Sequence, residues 1–371
     1  MLTVAQLLPE LEVGGVEQGT LEIAAALVAA GHRAVVVSGG GRLVPTLEAL
    51  GATHVSLPIG RKRLSSLALV RPLRQVFRDH RVDLVHARSR LPAWLGHFAR
   101  RGMAPAERPR WVTTVHGPYS ANAYGRIMAS GERVIAISKF IADYLLRAWP
   151  ATDPECVRLI PRGVDTGRWP HGFRPDPEWL AGWHAEHPQL HGKLLLVLPG
   201  RLTRWKGQEH FLQVVARLLA AGLPVHGLLA GGPHPRKVGF EDELRSLSRA
   251  LGLGQHVSFL GNRSDLREII AISRCAFSLT LDPEAFGRTT IEALSLGVPV
   301  VGYDHGGTAE ILREVFPAGL VPLRDIDTAA RRCADFLREP PAVPSSHPYT
   351  TARLQAATLA VYEELCASPR P

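Results

Sequence analysis

AFSLTLDPEAFGRTTIEALSLGVPVVGY, residues 276–303, decides the fold. Ala276–Leu281 is a short apolar run that ends on a turn, as a buried strand does. A helical stretch then opens near Gly287, and a second apolar run follows at Val298–Tyr303. Strand, loop, helix and strand in so short a span form the unit of a parallel sheet covered by helices. The loop and helix also hold Glu284 and Glu292, eight positions apart. Eight residues turn an α-helix through roughly 800°, about 80° off a common face. The two acids therefore do not form one stripe: Glu284 belongs to the loop and Glu292 to the helix. The amides of Gly287, Arg288 and Thr289 would then point outward from a helix start, where an anion is favoured. A capped helix with two acids nearby and a cradle for a ligand carrying phosphates and hydroxyls are both open here, since carboxylates accept well from sugar hydroxyls.

The same alternation runs through the chain. Strands are expected at LTVAQLL, HRAVVVS, DLVHA, RWVTTVH, RVIAIS and VRLIP, with a helix at GVEQGTLEIAAALVAAG. That set forms a doubly wound domain over residues 1–165. A Pro-, Trp- and His-rich stretch, 166–192, reads as a linker with one short helix. A second α/β series, 193–345, begins at KLLLVLPG. Its first helix, QEHFLQVVARLLAAG, places Phe211, Val214, Val215, Leu218 and Leu219 on one face. The tail, 346–371, is an amphipathic helix expected to pack back on the first domain. The fold class is thus α/β, with two Rossmann-like domains facing across a cleft. Ligands in such sheets bind outside the carboxyl ends of the strands.

Bulk properties narrow the class. A chain of 371 residues, 46% hydrophobic and 21% charged, has the composition of a globular protein of two domains. No apolar run is long enough for a transmembrane helix, and the first residues lack the basic start of a signal peptide. The four cysteines, Cys156, Cys275, Cys333 and Cys366, show no metal or disulfide spacing, and a cytoplasmic location is expected. Net charge is +9 and uneven: residues 1–165 hold 21 Lys/Arg against 13 Asp/Glu, and residues 61–110 hold 13 against 3. A basic half points to an anionic substrate, an anionic membrane surface or nucleic acid. An Arg-rich surface with no partner is the alternative.

Polar residues just after the strands are the candidates for chemistry. Gly14 and Gly15 precede a helix without the spacing of a dinucleotide site. His116 follows RWVTTV and Gly231 follows VHGLLA. In GRLTRWKGQEHF, Arg201 and Lys206 lie on a loop leading into a helix, a pairing suited to a diphosphate although no P-loop spacing is present.

Taken in order, these residues resemble a known family. PEAFGRTTIEALSLGVPVV looks like the E-x7-E signature of the family-4 retaining glycosyltransferases of the GT-B fold. GGVE, His116-Gly117, ISKF, GVD at Gly163–Asp165, GRLTRWKG and Gly231-Gly232 occur in the matching order. The resemblance implies a nucleotide-sugar donor, a UDP-sugar first and GDP-mannose second, with no metal or other cofactor. Glu284 would hold hydroxyls of the donor sugar and Glu292 the ribose. Arg201 and Lys206 would bind the diphosphate, with Gly15 and Gly231 near the phosphates. Phe286, Gly287, Arg288 and Thr289 would complete the cradle, and His116 would sit beside the transferred sugar. The catalytic set is then His116, Glu284, Arg201 and Lys206. Arg288 departs from the family pattern, where an aliphatic residue is common.

The basic half would take the acceptor. HARSRLPAW resembles the matching stretch of bacterial lipopolysaccharide-core transferases, which makes Arg88 and Arg90 the acceptor-side candidates. The acceptor is expected to be a glycan or lipid-linked glycan of a bacterial surface polysaccharide or lipopolysaccharide, with peripheral contact to the anionic inner face of the cytoplasmic membrane. Nucleic acid is not expected as a partner, because the basic residues lack interleaved aromatics or a known binding motif. Another sugar-nucleotide enzyme of the same fold, an epimerase or disaccharide synthase, is the alternative within enzymes. A basic nucleic-acid-binding protein is the alternative outside them.

Overall fold

The computed structural model describes residues 1–12, 14–233 and 239–367. The chain divides into two compact units, residues 1–162 with 351–371, and residues 163–350.

The first unit alternates strands and helices: β1 (Thr3–Leu7), α1 (Gly15–Ala29), β2 (Arg33–Ser38), α2 (Val44–Ala49), β3 (Thr53–Ser56), α3 (Val70–Asp79), β4 (Leu84–Ala87), α4 (Arg90–Arg101), β5 (Arg110–Val115), β6 (Arg133–Ala136), α5 (Lys139–Ala148) and β7 (Val157–Leu159). Its sheet has the order β3-β2-β1-β4-β5-β6-β7, all parallel. The order reverses between β1 and β4, which leaves a crevice at their carboxyl ends. Runs such as Val35–Val37 are buried throughout, as expected for strands covered on both faces.

The second unit repeats the plan: α6 (Pro177–Glu186), β8 (Leu194–Pro199), α7 (Gln208–Ala220), β9 (Val225–Ala230), α8 (Phe240–Ala250), β10 (Val257–Gly261), α9 (Leu266–Ala271), β11 (Cys275–Ser278), α10 (Arg288–Ser295), β12 (Val300–Tyr303), α11 (Gly306–Val315), β13 (Leu320–Val321) and α12 (Ile326–Arg338). Its parallel sheet runs β10-β9-β8-β11-β12-β13 and reverses between β8 and β11. The chain then returns to the first unit as α13 (Thr351–Ala367), where Leu354, Val361, Tyr362 and Leu365 join the core cluster with Leu21, Ala24 and Leu27 of α1.

Local readings of sequence differ from the structure at instructive points. The stretch 166–192 belongs to the second unit: Trp179 Nε1 donates to Asp265 at 3.0 Å, and Ser295 Oγ donates to the Trp169 carbonyl at 2.6 Å. On α7 the fully buried face holds Phe211, Leu212, Val214, Val215 and Leu218, while Leu219 is only half-buried. Among the described residues, no helix is long and apolar enough to cross a membrane.

A buried histidine in the second sheet sets its response to acid. His226 on β9 is buried, and Ser258 lies 2.9 Å from its Nε2. Burial first, then the nearby His256, Lys193 and His187, pull its pKa down to about 4. In the unfolded chain a histidine titrates near 6.5, so the unfolded state takes up the proton first as pH falls. The contribution is whole above about pH 6.5 and is lost progressively toward about pH 4, some 3 kcal/mol in all. His226→Gln removes this titration and keeps a partner for Ser258. Urea unfolding at pH 7 and pH 4.5 should show a smaller acid loss in the variant than in the parent; equal losses would acquit His226.

Candidate functional site

The site in the second unit is built from the loops after β8 and β11. After β8 the chain turns through Gly200 and Arg201, makes a short 3-10 turn at Arg204–Lys206, and enters α7 through Gly207. Gly207 has φ 76°, and a Cβ there would run into the Leu279 carbonyl oxygen beyond β11. Leu281 N donates to the Trp205 carbonyl at 2.7 Å, so the two loops are tied to one another. Gln208, fully buried, donates to the Arg201 carbonyl at 3.0 Å, while the Arg201 side chain is exposed. Gly207→Ala adds left-handed strain to a backbone collision and should lower stability by more than ~1 kcal/mol, read as a fall in Tm.

The loop after β11 is held from the other side. Gly307 N donates to the Glu284 carbonyl at 2.7 Å. A Cβ on Gly306 would meet Glu284 N at 2.7 Å, and one on Gly307 would meet Phe286 Cα at 2.5 Å. Phe286 is buried with its ring against Tyr349, centroids 5.7 Å apart. Gly287, at φ 99°, starts α10 with no side-chain cap.

Side chains then meet. Lys206 Nζ donates to Glu284 Oε1 at 2.7 Å, and both side chains are mostly buried, 15% and 17% exposed. The ammonium also lies over the Trp205 ring, 4.5 Å from its centroid. Arg288 Nε donates to Glu292 Oε1 at 2.8 Å, one turn apart on α10. The sequence reading set Lys206 on phosphate and Glu284 on sugar as separate tasks; in the structure the two form an ion pair. Arg288, the departure from the family pattern, holds the carboxylate of Glu292.

Several buried polar atoms here have no partner among the described residues: Thr203 Oγ1, Gln208 Oε1, Glu284 Oε2 and Thr290 Oγ1. Such atoms cost free energy unless something pairs with them, so the loops after β8 and β11 are suited to a ligand rich in hydroxyl and phosphate oxygens. Thr203 and Thr290 do not stand out in the sequence, because a threonine near a helix start reads as ordinary helix chemistry. Gly231 also has a packing reason to be glycine. A Cβ on it would strike the Gly200 carbonyl, and Leu202 N donates to the Gly232 carbonyl at 3.0 Å. This glycine lets the turns after β8 and β9 pack together. Residues 234–238, which follow this turn, lie outside the described residues.

In the first unit, His116 follows β5 and receives a hydrogen bond from Arg162, which also donates to the Gly15 carbonyl at 2.6 Å. Burial first, then the charges of Arg162 and Arg88 and the neighbouring His86, hold the His116 pKa well below the usual value. Arg88 is turned inward. Its Nε donates to Gln6 Oε1 at 2.7 Å, it bonds Tyr362, and it is 4% exposed. The alternation of β4 carries on through Arg88, which lines the same small cavity as His116 and Arg162. Arg90 opens α4 and lies over two rings, 4.9 Å from Tyr119 and 5.3 Å from Tyr124. Among the described residues, no three His, Cys, Asp or Glu side chains converge to hold a metal ion.

Comparison with known proteins agrees with this layout. Residues 13–168 match the family model described as Glycosyltransferase Family 4, and residues 182–351 the model described as Glycosyl transferases group 1. A D-inositol 3-phosphate glycosyltransferase of Actinosynnema mirum is 29% identical over 51% of this chain and 45% of its own length. A GDP-mannose-dependent alpha-(1-6)-phosphatidylinositol monomannoside mannosyltransferase of Mycolicibacterium smegmatis is 26% identical over 72% of this chain and 70% of its own. Among solved structures, a glycosyltransferase from Rickettsia africae superposes with a TM-score of 0.86 at 26% identity, over 99% of each chain. Anabaena HepE, solved with UDP and glucose, superposes at 0.83 with 20% identity over 98% of this chain and 100% of its own, a likeness of fold. Both halves are matched by glycosyltransferase models and both sheets carry the Rossmann-like strand order, and on these grounds the chain belongs to the family-4 glycosyltransferases of the GT-B fold.

Proposed function

We propose that the protein transfers a sugar, with retention of anomeric configuration and without a metal, from a nucleotide sugar to a hydroxyl of a glycan or lipid-linked glycan. The observation that carries the reading is the Lys206–Glu284 pair beside the orphaned Glu284 Oε2. A cation suits the donor diphosphate, and an unpaired carboxylate oxygen suits a sugar hydroxyl. Departure of a nucleoside diphosphate develops negative charge, which Arg201, Lys206 and the α10 amides of Gly287, Arg288 and Thr289 would stabilise. Glu292, held by Arg288, would accept from the ribose. In this reading neither carboxylate is a nucleophile. The reaction is a front-side, oxocarbenium-like substitution in which the leaving phosphate takes the acceptor proton and His116 orients the hydroxyls.

A UDP-sugar is the first donor to try and GDP-mannose the second, the two kinds that the names of HepE and the mycobacterial relative carry. Thermal shift with UDP-, GDP- and ADP-sugars tests the donor. Saturation at 100-fold over Kd adds about 2.7 kcal/mol to stability, an upward Tm shift of several degrees. Stabilisation by oligonucleotides and by none of the sugars would support a nucleic-acid-binding protein instead. The anomeric configuration of the product, read by NMR, tests retention.

The same proposal sets the acceptor near the anionic inner face of the cytoplasmic membrane. It is supported by Arg61, Lys62, Arg63, Arg71 and Arg78, all exposed, with Leu67 58% exposed among them. Co-sedimentation at low salt should be greater with vesicles containing phosphatidylglycerol than with phosphatidylcholine alone. Equal sedimentation removes the membrane from the reading and leaves a soluble glycan acceptor.

A further inference from the structure

In the sequence Arg162 merely precedes the Gly163–Asp165 motif and looks like one more surface arginine. The structure buries it, 9% exposed. Its guanidinium lies against α1 at a place where any Cβ on Gly19 would strike it, and Nη1 donates to the Gly15 carbonyl at 2.6 Å. Nη2 lies 3.0 Å from His116 Nδ1.

A guanidinium has donors and no acceptor. His116 Nδ1 must therefore present its lone pair, and the single proton of the neutral ring sits on Nε2. That Nε2 is buried and has no partner among the described residues. The surroundings agree. The groups acting on the ring from neighbouring elements are Arg162 after β7 and Arg88 and His86 at the end of β4, while Tyr119 on its own loop meets the His116 backbone. Thr358 of α13 lines the same cavity, about 20 Å³ in volume and large enough for one water. Tyr362 of α13 lies 2.6 Å from His86 Nδ1, and Thr114 Oγ1 lies 2.6 Å from His86 Nε2. Glu22 of α1 acts on Arg88.

We infer that Arg162 is a positioning residue that fixes His116 in the Nε2–H tautomer, so that His116 serves transfer as a neutral hydrogen-bond donor and not as a base. Neither ring nitrogen can then take the acceptor proton, since Nε2 already holds one and Nδ1 faces a guanidinium. This rests on the proposed reading of His116 as a residue that meets a substrate hydroxyl.

NMR of the protein labelled with ¹⁵N-histidine, without ligand, tests the inference between about pH 5 and 8, where free imidazole titrates. His116 should show one tautomer, Nε2–H, and no titration. In R162M the ring should populate both tautomers and begin to titrate. R162K, which still carries only donors, should keep the Nε2–H form. Turnover should fall roughly tenfold or more in R162M, with an acidic limb in its pH profile, and recover in part in R162K. An Nδ1–H tautomer or a freely titrating ring in the unmodified protein overturns the inference even if R162M does not fold. So does an unchanged tautomer in R162M, and so does a changed tautomer with turnover intact. Failure of every nucleotide sugar as donor would instead count against the proposed transfer, and the tautomer would still read out.

Discussion

Glu284→Ala is expected to slow transfer by roughly 10- to 10²-fold while affinity for the nucleoside diphosphate alone holds or rises. The carboxylate has two oxygens in different settings. Oε1 accepts from Lys206 at 2.7 Å, and Oε2 is buried with no partner among the described residues. On the proposed reading Oε2 meets a sugar hydroxyl, a bond to a charged group worth about 1.5–3 kcal/mol. If the bond strengthens as the sugar gains positive charge, its loss falls mainly on turnover, at tenfold for each ~1.4 kcal/mol. A nucleoside diphosphate makes no use of Oε2. It competes with Glu284 for Lys206, so removing the carboxylate leaves the ammonium free for phosphate and tightens binding. Glu284→Gln keeps the shape and removes the charge, and belongs beside Glu284→Ala. Transfer is read as kcat/KM and diphosphate affinity by calorimetry. If diphosphate affinity falls in step with turnover, Glu284 shapes the phosphate pocket and its assignment to the sugar fails.

How far the sequence spoke for the structure depends on the range over which each feature is set. Strands such as Arg33–Ser38 and Leu194–Pro199 are apolar runs buried in parallel sheets, and their pattern is local and legible. β3 (Thr53–Ser56) and β13 (Leu320–Val321) are not legible: one is a short edge strand whose residues are half-exposed or exposed, the other has two residues, so neither repeats a pattern long enough to read. The E-x7-E stretch separates into loop and helix because Gly287, between the two acids, opens the helix, and that signal is local. Pairings across the fold are hidden. Lys206 and Glu284 are 78 positions apart and Arg162 and His116 are 46 apart, and no spacing rule reaches that far. The surroundings of Arg88 are hidden in the same way: its bond to Gln6, 82 positions away, and its burial beside His116 follow from no local pattern.

Lys206→Ala is expected to cost ~10²–10³-fold in kcat/KM, more than Arg201→Ala. Both cations would meet charge that develops on the leaving diphosphate, and loss of one such preorganised donor costs about 2.7–4 kcal/mol. They differ in what each leaves behind. Arg201 is exposed, and water replaces part of what its guanidinium supplied. Lys206 is mostly buried, and its loss strips Glu284 Oε1 of its partner. The remaining carboxylate is then a buried charge beside the site where a diphosphate must enter, which raises the loss above that of the missing cation alone. A double-mutant cycle separates the two parts. In the Lys206→Ala/Glu284→Ala variant the stranded carboxylate is gone, so diphosphate affinity should recover toward that of the parent while turnover stays low. Affinity in the double variant no better than in Lys206→Ala would mean that Lys206 acts on phosphate independently of Glu284, and the ion pair would then be a resting contact with no part in the order of binding.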